Sequence, residues 1–183
     1  SKLRNDDKPL PASSEVKLTK IRFNHAVSAR RNIGAINIPM PLMRTFKTHI
    51  RRVTLNDIAL SIIGGGLRKY LLHHNELPLA SLACGAPINL RQRDDLSMGN
   101  NIATMQVGVA TDIIDPIERV RAVHQYAVLG KSRINKLGTG TIMDISDSVN
   151  PSMLAEGLRA LNFVLRTTDL PVPFHVMISN VPG

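Results

Sequence analysis

The sequence predicts an α/β fold, because long amphipathic helical segments alternate along the chain with single short strands. Apolar residues recur at three- and four-residue spacing over residues 55–71, which is typical of a helix with one buried face. Residues 101–111 instead alternate between apolar and polar side chains, which is typical of a strand with one buried face. Helices and strands that alternate in this way favour an α/β architecture. The 183 residues suit one globular domain or a large part of a two-domain enzyme.

The N-terminal region is expected to lead into the domain without belonging to its core. Residues 1–28 are rich in Lys, Asp, Pro and Ser and have no clear period, so they are interpreted as a linker or an extended lead-in. The domain itself is expected to span residues 29–183. It starts with a strand candidate at 30–38, and a short helix at about 41–50 follows, with Pro41 in its first turn.

The first strong helix is predicted to begin at Thr54 and to reach about His74. Thr54 is a favoured N-cap, and Asp57 lies three residues later as the acidic partner of a capping box. Residues 64–66 are all glycine, and each costs about 0.8–1 kcal/mol against Ala in a helix interior. The triplet indicates a close approach by another backbone or by a ligand, or else a local break.

The remaining elements follow in order. Strands are predicted at 82–90 and 101–111, and a helix capped by Asp115 is predicted to reach about residue 136. A third helix opens near Pro151, and a last strand covers 174–180. The third helix carries an apolar stripe, interpreted as core or alternatively as one wall of an acyl or alcohol tunnel, formed by Leu154, Leu158, Leu161 and Leu165.

Composition limits the partners. The formal charge of +9 is compatible with solvated helix faces, an anionic lipid surface, a cofactor phosphate or nucleic acid. The basic residues are dispersed, and four Phe, two Tyr and no Trp offer little base stacking, so no nucleic-acid partner is expected. The single cysteine, Cys84, cannot form an internal disulfide and is expected to be a small buried thiol.

Local catalytic motifs are absent. His73 and His74 resemble the start of HHxxxDG, the signature of several coenzyme A-dependent acyltransferases, but Pro78 and Leu79 stand where Asp and Gly are needed. The pair is therefore assigned to the C-terminal end of a helix. His124 shares a helix face with apolar residues and is expected to be a core or boundary residue. No metal site, GxSxG elbow, P-loop or GxGxxG is present in the sequence.

An ordered series of short segments remains: TLNDIAL at 54–60, PINLR at 87–91, GNN at 99–101, TDIIDP at 111–116 and ISNVPG at 178–183. In this order the chain resembles the C-terminal half of the bacterial wax ester synthase/diacylglycerol acyltransferase family, from about Phe23 to Gly183. The resemblance implies α/β architecture as one half of a chloramphenicol-acetyltransferase-like, coenzyme A-dependent acyltransferase fold. In such a fold the active site lies between two similar halves.

The resemblance also implies a reaction: transfer of a long-chain acyl group from acyl-CoA to a fatty alcohol or diacylglycerol, giving a wax ester or triacylglycerol. In the family HHxxxDG belongs to the N-terminal half, so no catalytic residue is expected in this chain, which we expect to be truncated at its C-terminus as well. Acyl-CoA would be a co-substrate, with no bound cofactor. The expected partners are the N-terminal half, the two substrates, and a membrane or lipid-droplet surface. The expected location is cytoplasmic, peripheral to the inner membrane or to lipid inclusions.

Four residues are supporting candidates. Asn56 and Asp57 match the family's Asn-Asp pair and either support the helix start or contact the reacting groups. Ser179 and Asn180 end the last strand, and Asn180 either donates to the developing oxyanion or caps a turn.

Two further residues, Arg91 and Asn100, flank a polar loop and either meet cofactor phosphates or are simply exposed. Two other functions stay open: a related condensation or acetyl-transfer domain with an amine acceptor, and a non-enzymatic basic module that binds lipid or nucleic acid.

Overall fold

The computed structural model describes residues 20–25, 29–50, 52–89, 102–137, 156–157, 159–160, 163 and 173–180. A 3-10 turn, Arg22–Asn24, precedes the regular elements. These are α1 (Met40–His49), α2 (Leu55–His73), β1 (Ala83–Asn89), β2 (Ile102–Gly108), α3 (Pro116–Leu137) and β3 (Val176–Met177). Helices and strands are mixed along the described chain, as an α/β fold requires. The predicted alternation with single strands is wrong, because α1 leads directly to α2 and β1 directly to β2.

The described strands form one mixed sheet in the order β2-β1-β3, with β1 in the centre. β2 runs antiparallel to β1, from the pair Ala83 and Gly108 to the pair Asn89 and Ile102. β3 runs parallel to β1, with Cys84 opposite Val176. The sheet therefore brings a segment from the end of the chain beside a strand that lies about ninety residues earlier.

The core lies between this sheet and the two long helices. α2 packs against α3, and α3 packs against β2. On β2 and just beyond it, Met105, Val107 and Val109 are buried whereas Thr104 is exposed, which confirms the alternation read from the sequence. Aliphatic side chains dominate the main cluster, which contains Leu60, Leu71, Leu82, Cys84, Ala86, Met105, Val107, Val109, Ala110, Ala122, Val123, Tyr126 and Ala127.

Helix α2 begins as its capping residues predict. The Asp57 backbone N–H donates to Thr54 Oγ1 at 3.2 Å, and the Thr54 N–H donates to Asp57 Oδ2 at 2.8 Å. The helix is continuous through the three glycines. A Cβ atom added to Gly64 would lie 2.0 Å from the Val109 carbonyl oxygen, so this glycine marks a close approach by another backbone.

The expected strand at 30–38 is wrong, because these residues do not form a strand. Two of the isoleucines in the segment project into solvent, with Ile33 98% and Ile36 80% exposed. An extended segment becomes a strand only when a neighbour accepts and donates its backbone hydrogen bonds. The last strand is also shorter than predicted, two residues instead of 174–180.

The predicted third helix falls mostly outside the described residues. Glu156, Gly157, Arg159, Ala160 and Phe163 are helical, and the four leucines of its apolar stripe are not among the described positions. Among the described helices, none combines the length and the apolar composition that crossing a bilayer requires.

Part of the predicted lead-in contacts the fold. Ile21 and Phe23 pack against the main apolar cluster. Arg22 lies between α2 and the turn that follows it, where its guanidinium donates to the Tyr70 hydroxyl at 2.9 Å and pairs with Glu76 at 2.7 Å. The contacts are solvent-exposed, so the ion pair itself contributes little to stability.

The thiol of Cys84 is expected to resist alkylation in the native protein. Its side chain on β1 is fully buried, as the sequence predicts, and burial raises its pKa to about 11. Because the thiolate is the reactive form, roughly one thiol in a thousand would be ionised at about pH 8. Iodoacetamide labelling followed by peptide mass mapping should show modification in denaturant and almost none in buffer. Rapid labelling of the native protein would contradict the burial.

Candidate functional site

The first turn of α2 is the centre of the candidate site. Val53, just before the cap, is buried and packs with Ile58 and Val120, so the entry to the helix is held against α3. Thr54 and Asp57 satisfy each other's backbone N–H groups. The turn is therefore anchored by apolar packing on one side and by hydrogen bonds on the other.

The carboxylate of Asp57 has a second partner that joins it to α3. His124 Nδ1 lies 2.8 Å from Asp57 Oδ2, and the Asp57 residue is only 3% exposed. The N-terminal end of a helix is favourable for a carboxylate, because the helix dipole places positive potential there. The structure thus supports the structural interpretation of Asp57: the side chain faces α3 and its own cap.

Asn56, the preceding residue, points to a different neighbour. Asn180 Nδ2 donates to Asn56 Oδ1 at 3.4 Å, in an exposed position. The two residues are 124 apart in the sequence. Two of the four supporting candidates are therefore brought into contact, and their amides stand at the N-terminal end of α2.

The position of Asn180 follows from the way the chain end attaches to β1. The His175 backbone N–H donates to Ala83 O at 2.9 Å, and the Ala83 N–H donates to His175 Nδ1 at 3.0 Å. Three residues on, the Ile178 N–H donates to Gly85 O at 3.0 Å. These bonds define a short strand whose end carries Asn180 toward α2. His175, which is 4% exposed, is thus a structural residue of the sheet.

The other sequence candidates have less definite positions. Ser179 is exposed, next to Asn180. Arg91 and Asn100 lie outside the described residues, so their predicted contact with cofactor phosphates stays a prediction. Groups of three His, Cys, Asp or Glu side chains that would hold a metal ion do not occur in the described segments.

The histidine pair at 73–74 ends α2, as expected. His73 is the last helical residue, and the His74 backbone N–H caps the carbonyl of Leu71 at 3.2 Å. The His74 ring packs on Tyr70 with centroids 4.6 Å apart. The pair is thus at the end of α2 opposite to Asn56 and Asn180, which agrees with its assignment to a helix terminus.

Two arginines of the dispersed basic set have structural partners. Arg119 is 8% exposed and donates to the carbonyls of Ile113 and Ile114, at 2.8 and 2.9 Å through Nη2. Arg68 donates to the Thr111 carbonyl at 2.7 Å. Burial lowers the pKa of Arg119, and the nearby Arg68 lowers it further, whereas Asp115 raises it. Both side chains therefore hold the loop between β2 and α3.

Sequence reasoning missed the partnership of His124 with Asp57. It placed His124 correctly beside the apolar face of α3, since Val120 and Ala127 are buried. The missing information was the packing of α3 on α2. A conspicuous signal was nevertheless present: an acidic residue in the first turn of one helix and a lone histidine within the next one.

The architecture defines a class of protein. A solved structure, the wax ester synthase/diacylglycerol acyltransferase from Marinobacter aquaeolei, superimposes with a TM-score of 0.51 at 21% identity. The match covers 79% of this chain and 29% of that one. That structure has a chloramphenicol-acetyltransferase-like, two-domain fold, and the described chain has the α/β fold of part of it, as the sequence predicted.

Sequence comparisons relate the chain to one family. Residues 98–183 match the family model described as WS/DGAT C-terminal domain. A Mycobacterium tuberculosis protein named as a diacylglycerol O-acyltransferase is 30% identical over 183 residues, which cover all of this chain and 36% of that protein. The O-acyltransferase WSD of Acinetobacter baylyi is 29% identical over 161 residues, or 88% of this chain and 33% of that protein.

Residues 98–183 therefore match the C-terminal domain of the wax ester synthase/diacylglycerol acyltransferase family, and the chain as a whole is similar to proteins named as its members. The chain spans about a third of the length of the curated relatives that it matches.

Proposed function

We propose that the complete protein to which this chain contributes transfers a long-chain acyl group from acyl-CoA to the hydroxyl of a fatty alcohol or diacylglycerol. The products would be a wax ester or triacylglycerol, with free coenzyme A. Similarity to this family supports the reaction class, because the related proteins are named as O-acyltransferases. The observation that carries the proposal within the chain is the contact between Asn56 and Asn180.

The chemistry needs a base for the acceptor hydroxyl. The proposed base is a histidine of an HHxxxDG motif in an N-terminal half, which removes the hydroxyl proton as the oxygen attacks the thioester carbon. The coenzyme A thiolate then leaves and takes up a proton. A base from an N-terminal half is proposed because the sequence of this chain contains no HHxxxDG motif.

The role proposed for this half is to stabilise charge. When the hydroxyl adds to the thioester, the carbonyl oxygen becomes an oxyanion and needs a donor that is already in position. Asn180 supplies an amide nitrogen with two hydrogens, and the oxygen of Asn56 accepts one of them. Asn56 would thus orient Asn180. Asp57 would hold the helix turn, and Ser179 would shape the strand end.

Substrate contacts beyond the reacting centre complete the proposal. Arg91 and Asn100 would meet the phosphates of coenzyme A. Contact with an anionic lipid surface stays a prediction, which the basic and apolar side chains of α1 support: Met40, Leu42 and Phe46 are exposed on the same helix as Arg44 and Lys47.

The experiment is an acyl-transfer assay with the complete protein. Labelled long-chain acyl-CoA should be converted to ester with a fatty alcohol or a diacylglycerol, and the second histidine of HHxxxDG should be required. Replacement of that histidine by alanine should reduce turnover to background, because no other base is proposed. A fatty amine serves as the matched acceptor. Preferential amide formation would favour a related condensation domain, and the absence of any acyl transfer would refute the proposal.

A further inference from the structure

The link between α2 and α3 has a polar component that lies next to the proposed donor pair. Asp57 Oδ2 receives two donors, the Thr54 backbone N–H at 2.8 Å and His124 Nδ1 at 2.8 Å. The first donor belongs to the same turn of α2 and moves with it. The second comes from a separate helix. The hydrogen bond from His124 therefore links the first turn of α2 to α3.

His124 is itself held firmly. Its neighbours on the α3 face, Val120 and Ala127, are 8% and 5% exposed, and Val120 packs in the small apolar cluster with Val53 and Ile58. The imidazole side chain is 26% exposed, so its ring lies at the boundary of the core. The Asp57 side chain is 4% exposed at the other end of the bond. A ring in this position transmits the orientation of α3 to the first turn of α2.

The first turn of α2 also carries Asn56. Residues 56 and 57 are consecutive, so any rotation of the first turn that follows the loss of the Asp57 anchor also moves the Asn56 amide. Asn56 Oδ1 is the acceptor for Asn180 Nδ2 at 3.4 Å, a long bond that a small displacement would break. We propose that His124 is a positioning residue for acyl transfer, because its Nδ1–H fixes Asp57 and thereby the Asn56–Asn180 pair.

The proposal rests on the proposed function and adds a residue to it. His124 does not touch the reacting atoms in this scheme. The positioning role requires that Nδ1 of His124 carries the ring hydrogen, since an unprotonated Nδ1 would face the carboxylate with a lone pair. An asparagine at the same position offers an amide N–H at about the place of Nδ1, whereas leucine offers similar bulk without a donor.

The test uses the complete protein with three variants, each measured for kcat, KM and thermal unfolding. His124→Leu should lower kcat about 10- to 100-fold with KM nearly unchanged, because a misplaced donor raises the barrier more than it weakens substrate binding. His124→Asn should restore most of the loss. Arg121→Ala is the matched control on α3: it removes a surface ion pair with Glu118 and should leave kcat unchanged.

A double-variant cycle separates positioning from general destabilisation. If His124 acts through Asn180, adding His124→Leu to Asn180→Ala should lower kcat by less than about threefold beyond Asn180→Ala alone. Independent, multiplicative losses would overturn the proposal. So would a folded leucine variant with wild-type kcat, or an asparagine variant as defective as leucine.

A measurement on the wild type does not depend on any variant being active. In protein with ¹⁵N-labelled histidine, the His124 Nδ1 resonance, assigned by its loss in His124→Asn, should be that of a protonated nitrogen. A lone pair on Nδ1 would overturn the proposal even if the leucine variant fails to fold. If the wild type forms no ester, the proposed function fails and the positioning role with it. If the wild type is active and the leucine variant equally so, only the positioning role fails.

Discussion

Replacing Gly64 by alanine is expected to destabilise the protein by about 3 kcal/mol, the upper part of the usual range for overpacking a filled core. The added methyl carbon would lie 2.0 Å from the Val109 carbonyl oxygen and 3.1 Å from its carbon. Both atoms belong to the backbone just after β2, so no side-chain rotation relieves the clash. Either α2 moves away from this segment or the backbone after β2 shifts.

The same helix provides the matched control. At Gly66 an added Cβ meets nothing within 4 Å, so Gly66→Ala should stabilise the protein by about 0.5–1 kcal/mol through helix propensity alone. Urea unfolding of the two variants beside the wild type measures the difference. Equal effects at the two positions would show that α2 does not approach the end of β2 as closely as described.

Replacing Asn180 by alanine in the complete protein is expected to lower kcat about 10²- to 10³-fold, the loss typical of removing one donor from an oxyanion site. KM should change little, because the donor interacts more strongly with the developing oxyanion than with the neutral thioester. Steady-state kinetics with a long-chain acyl-CoA and a fatty alcohol give both constants.

A surface residue of α3 is the control for Asn180. Arg121 forms an exposed ion pair with Glu118, and Arg121→Ala should keep kcat within about twofold of the wild type. Asn56→Ala should cause a smaller loss than Asn180→Ala, because it removes the acceptor that orients the donor. An Asn180→Ala variant with unchanged kcat would remove this residue from the proposed mechanism and leave turn capping as its role.

Local chemistry accounts for the elements that the sequence predicted well. The start of α2 depends on Thr54 and Asp57, which exchange hydrogen bonds three residues apart. The buried face of β2 depends on alternation within one strand, and Met105 and Val107 follow it. Both signals involve atoms close together in the sequence, so no knowledge of the fold is needed to read them.

The sequence predictions are wrong where the conformation of a segment depends on its pairing with a distant segment. Residues 30–38 do not form the expected strand, and β3 covers only two residues of the expected seven-residue run. Pairing with β1 determines the length of β3, so this length cannot be predicted from residues 174–180 alone. The glycine triplet shows the same limit, because the sequence left three explanations open. For Gly64 the structure shows which one holds: the Val109 backbone approaches the helix closely.

The sequence alone determined the α/β class, the family resemblance and the absence of a local catalytic motif. It also identified four candidates: Asn56, Asp57, Ser179 and Asn180. Only the tertiary structure decided that Asn56 meets Asn180 and that Asp57 meets His124. Caps and periodic patterns are encoded by residues within a few positions of one another. Contacts between distant residues exist only after helices and strands have packed, and the proposed donor pair consists of such a contact.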